Sequence, residues 1–99
     1  MTTGTVRNLT NQIEEKSVEV HELRRELREL EEDLKIEVER VESNAAEASR
    51  GRSVRWEEID WDIHCTETAI SVITKQIQTL KDQLHEATSV YPASRIALE

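Results

Sequence analysis

Two runs of mostly apolar residues, with steps alternating between three and four, flank a short Ser-Arg-Gly-Arg-Ser stretch at residues 49–53. The first run follows Val6, Leu9, Ile13, Lys16, Val20, Leu23, Leu27, Leu30, Leu34, Glu37, Val41, Asn44 and Ala48. The second follows Trp56, Ile59, Ile63, Thr66, Ile70, Ile73, Ile77, Leu80, Leu84, Ala87 and Tyr91. A repeat that averages about 3.5 residues keeps one stripe of a helix turned toward one partner, which is the pattern of a coiled coil. The expected class is therefore all-α, with two long helices in coiled-coil packing. The seam residues are Val20, Leu23, Leu27, Leu30, Leu34, Ile63, Ile70, Ile73, Ile77, Leu80 and Leu84.

The competing solution for a charged chain is disorder. Charged residues make up 34% of the sequence, and there is no Phe, one Tyr and two Trp. A disordered acidic segment has no reason to hold apolar residues at fixed spacing, so the heptads decide for helices. The scarcity of bulky side chains also excludes a compact globular core.

The first helix is expected over about 6–49, with Thr5 or Asn11 as its cap. Gly51 suits the left-handed residue that ends a helix, which sets a turn at 50–53. Ser53 can cap a second helix over about 54–90. Pro92 is expected to close that helix and leave a loose tail at 91–99. The whole is one domain.

Two architectures fit this order: an antiparallel hairpin folded at the glycine, and one continuous helix paired in parallel with a second chain. Ala48 to Trp56 is a step of eight, so the heptad phase slips by one residue across Gly51. A fold-back absorbs the slip without cost, whereas a continuous coil carries it as a skip residue. Folding back also sets Trp56 against the small residues of 44–48, and it gives a better balance of flanking charges. The hairpin is the expected form. Its register pairs residues whose numbers sum to roughly 100–104, which puts Leu34 near Ile70 and Glu37 near Thr66. Lys16, Glu37, Asn44 and Thr66 are polar interruptions of the seam. They read as register devices or docking points, or, for the long side chains, as groups that snorkel out of a narrow seam.

A two-helix hairpin buries one stripe per helix and is marginal alone, so self-association into a dimer or four-helix bundle is expected. Apolar residues off the seam mark a second surface: Trp61, Val72, Ile36, Val38 and Val18. Among them Trp61 leads, because indoles are enriched at interface hot spots. The arginines at 50, 52 and 55 read as a solvated turn.

Chemistry is sparse. His21, His64 and His85 are far apart, and His64 and Cys65 point in different directions on a helix, so no metal site is expected. No carboxylate pair, nucleophile set or phosphate loop has a recognisable context, and neither enzymatic activity nor a cofactor is expected. The net charge of −8 disfavours nucleic acid and anionic membranes as partners. A small-molecule substrate has no enclosed cleft to enter. The lone Cys65 and the absence of a signal-peptide pattern point to a reducing, intracellular setting, cytoplasmic by default. The expected function is a non-enzymatic structural or scaffold element, an oligomerisation module or subunit of a larger assembly. It would bind itself, another helical protein, or both. A second reading follows from the −6 charge of residues 1–49, seven basic against thirteen acidic. In it, the chain is a small acidic inhibitor or regulator that occupies a basic groove on a nucleic-acid-handling protein.

Overall fold

A computed structural model of the chain describes the backbone of residues 2–98 and the side chains of residues 4–88. It is all-α: α1 spans Thr2–Glu42, α2 is a single turn at Ala45–Ala48, and α3 spans Val54–Leu98. The two long helices pack against each other. No helix among the described residues is long and apolar enough to cross a membrane.

The first helix differs from its expected bounds at both ends. It opens at Thr2 rather than near Val6. Thr10 Oγ1 donates to the Val6 carbonyl at 2.8 Å, and Gln12 Nε2 donates to Asn8 Oδ1 at 3.2 Å. These i,i+4 bonds place Asn11 inside the helix, not at its cap. At the other end the helix stops at Glu42 instead of Ser49. Ser43 Oγ donates back to the carbonyls of Glu39 (2.8 Å) and Arg40 (2.9 Å). Asn44 then turns extended, with φ −110° and ψ 106°, and its side chain accepts from the amides of Ala46 and Glu47. Short polar side chains offer the backbone this alternative to the helical ladder, and at a cap position it wins. Asn44 is thus the cap of α2 and not a polar residue inside a seam.

From there the chain turns through Arg50–Ser53. The amides of Arg50 and Gly51 donate to the carbonyls of Glu47 and Ala48. Gly51 takes φ +90°, a conformation that L side chains rarely adopt. Ser53 Oγ accepts from the Trp56 amide at 3.1 Å and caps α3, which starts at Val54 as its sequence predicts. The expected tail at 91–99 is instead helical to Leu98. Pro92 has no N–H to give the carbonyl one turn back, so the ladder loses one bond there. Good helix formers (Ala93, Arg95, Ala97 and Leu98) carry it on.

The chain divides into two compact units. The junction unit, His21–Ser71, holds the end of α1, all of α2 and the start of α3. Val41, 1% exposed, and Ile59 are its buried apolar residues, and Leu23, Leu27, Leu30, Leu34, Trp56, Ile63 and Ile70 are half-buried. The terminal unit joins Met1–Val20 to Val72–Glu99. There Val20 and Leu80 are buried, and Val6, Leu9, Ile13, Ile73, Ile77 and Leu84 are half-buried.

Candidate functional site

The heptad places Glu37 on the seam of α1, where a carboxylate is costly to bury unless it is paired. The fold buries it, at 4% exposure, and pairs it completely. Arg40, one turn along α1, offers a two-pronged fork: its Nε donates to Glu37 Oε1 at 2.9 Å and its Nη2 to Oε2 at 2.7 Å. Ser53 Oγ donates to the same Oε2 at 2.6 Å. Arg40 Nη1 reaches on to Glu47 Oε1 of α2 at 3.1 Å. One carboxylate therefore ties α1 to the cap of α3, and one guanidinium ties α1 to α2. No buried side-chain nitrogen or oxygen among the described residues lacks a partner.

The electrostatics follow from these bonds. The hydrogen bonds from Arg40 and then Ser53 hold the Glu37 carboxyl at about 2, against an ordinary value of 4.5, although desolvation pulls the other way. The bond to Glu37, then that to Glu47, raises Arg40 above its ordinary value. Planar bidentate pairs of this kind are the stronger class of ion pair. Glu37 does not snorkel; its carboxylate is held by Arg40 and Ser53. The connection occupies residues 43–53 rather than 50–53, and that length brings Ser53 onto the carboxylate. The sequence marks Glu37 only as an interruption of the seam; neither the fork from Arg40 nor the bond from Ser53 across the turn is read there.

Lys16, the other long polar side chain of the first seam, behaves differently. Its Nζ donates to Gln76 Oε1 at 3.1 Å, at the surface of the terminal unit.

The off-seam residues fall into two groups. In the junction unit Trp61, 65% exposed, and Ile36 are exposed, together with Val54. In the terminal unit Val18 and Val72 are exposed. Val38 departs from this pattern. It is half-buried and lines a groove with Leu34 and Ile63, because it flanks the seam on the side turned toward α3. The Trp61 ring lies 5.8 Å from His64, tilted by 39°. Near the turn, the Arg52 guanidinium sits 5.7 Å over the Trp56 ring and its Nη1 reaches Asp60 Oδ2 at 3.4 Å. Arg50, Arg52 and Arg55 are all exposed, and Arg52 is also engaged by Trp56 and Asp60 of its own unit. Cys65 is a free, exposed thiol.

Compared with protein-family models, with curated proteins and with solved structures, the chain matches none.

Proposed function

We propose that this chain is a non-enzymatic coiled-coil interaction element: an antiparallel helical hairpin that associates with further helices, first of all those of a second copy. One observation carries the reading. With α1 and α3 already packed on each other, Val20, Val41, Ile59 and Leu80 are the hydrophobic residues that are buried among those described. Leu23, Leu27, Leu30, Leu34, Ile63, Ile70, Ile73, Ile77 and Leu84 stay half-buried. Covering the remainder of each contributes on the order of 1 kcal/mol. Over the seam that is comparable to the ~4–15 kcal/mol that association costs. The exposed Trp61 supplies a second surface of the kind enriched at hot spots. The bond between Lys16 and Gln76 supports the fold-back.

The deciding measurement is mass in solution by light scattering. A multiple of the 11.5 kDa chain is expected, and Trp61→Ala should lower it while leaving helix content by circular dichroism intact. A monomer at high concentration, or an unchanged mass in the variant, counts against the reading. Spin labels at the exposed positions 17 and 83 should lie close together within one chain. A separation near the ~100 Å of a continuous helix would end the hairpin.

A further inference from the structure

We propose that the groove of the junction unit lined by Leu34, Val38 and Ile63 docks a basic amphipathic helix of a partner protein. This rests on the reading of the chain as an interaction element and names the chemistry of one partner.

The groove has a volume of about 590 Å³. Its floor is apolar and half-buried: Leu34 and Val38, one turn apart on α1, face Ile63 of α3. An apolar furrow between two helices is the usual seat for the stripe of an amphipathic helix, read as anchors at i, i+3, i+4 and i+7. The rim selects among such helices by charge. Glu31, Glu39 and Glu42 of α1 and Asp60 of α3 line it, all exposed. Lys35 is the cationic side chain in the lining, and Asp60 already shares its charge with Arg52. The three glutamates against one lysine leave the rim negative. Lysines and arginines flanking an apolar stripe complement it. Complementarity of this kind sets partner choice and encounter rate more than affinity.

A second copy of the chain suits this groove poorly. Each copy carries a net charge of −8, and residues 31–42 hold six acidic side chains against two basic ones. A copy laid along the groove brings carboxylates to carboxylates, and like charges in contact work against a partner. The groove, with Leu34 and Ile63, therefore takes a different occupant from the rest of the half-buried seam, and it is that rest which a second copy covers.

The test uses the full chain and a labelled synthetic peptide of about 18 residues, with leucines at i, i+3, i+4 and i+7 and lysines elsewhere. Two control peptides accompany it: the same composition scrambled, and the same leucine stripe with glutamates for lysines. Fluorescence anisotropy should show the leucine–lysine helix binding about tenfold or more tighter than the scrambled peptide, with no binding of the glutamate peptide. The double variant Glu39→Lys, Glu42→Lys should weaken binding by about tenfold, while Glu14→Lys, Glu15→Lys, an equal change in net charge at exposed sites of the terminal unit, should change it less than about twofold. Val38→Ser should weaken it with helix content unchanged.

Equal binding of the scrambled peptide, or equal loss in the two charge variants, overturns the proposal, since attraction to net charge alone then accounts for the affinity. A solution mass that falls with Val38→Ser, together with no peptide binding, also overturns it and assigns the groove to a second copy. An oligomer that persists without peptide binding sinks this inference and leaves the oligomerisation reading standing. A monomer that binds the peptide does the reverse.

Discussion

In the junction unit the contact between α1 and α3 contains a charged knot around a buried carboxylate; in the terminal unit the polar contact from Lys16 to Gln76 lies at the surface. Both units have apolar seams of the same heptad pattern, and both leave those seams half-covered. Apolar contact is non-directional and tolerates sliding by a turn. A carboxylate that must satisfy a guanidinium fork and a hydroxyl within 2.6–2.9 Å does not. Position-specific information is concentrated near the turn, while the terminal unit contributes contact area.

The largest effect that should distinguish them is removal of the knot. Glu37→Ala removes the partner that Arg40 and Ser53 share, although Arg40 keeps Glu47, and the melting temperature should fall by several degrees by circular dichroism. Hydrogen exchange should quicken over residues 44–56. If the melt is unmoved, the knot is ornamental and the contrast between the units disappears.

Acid should produce an intermediate effect. The Glu37 carboxyl is held at about 2 in the folded chain and returns to an ordinary 4.5 when unfolded. Its contribution is therefore complete above about 4.5 and is lost as pH falls from there toward 2. Stability should decline across that window, and Glu37→Gln should flatten the decline. An identical acid profile in the variant would assign the loss to other carboxylates.

The smallest effect belongs to the terminal unit. Lys16→Met removes an exposed bond and adds apolar area to a seam, so stability should change by less than about 0.5 kcal/mol in either direction. A drop as large as that of Glu37→Ala would show that the terminal unit also depends on directional contacts.

Much of this architecture is legible in the heptads. They announce two long helices that pack on each other, and Ser53 announces where the second begins. Gly51 reads correctly as the residue in left-handed conformation. Asn44 does not, because a seam position and a cap position ask for the same residue in different conformations, and the i+2 and i+3 amides of Ala46 and Glu47 settle it locally. Pro92 reads as a stop, yet a helix with good formers on the far side runs through it. Glu37 is recognisable as an interruption of the seam, but its pairing with Ser53 depends on how many residues the connection uses. That is a three-dimensional quantity with no local signature. Val38 fails for the same reason: whether a flanking residue is exposed depends on which side the neighbouring helix lies.

The Glu37–Ser53 bond also bears on the order in which the chain assembles. It joins residues 16 apart, whereas Lys16 and Gln76 are 60 apart. The ends of the longer loop cost about 1 kcal/mol more to bring together from an unstructured chain. Contacts near the turn are thus the cheaper first event in assembly.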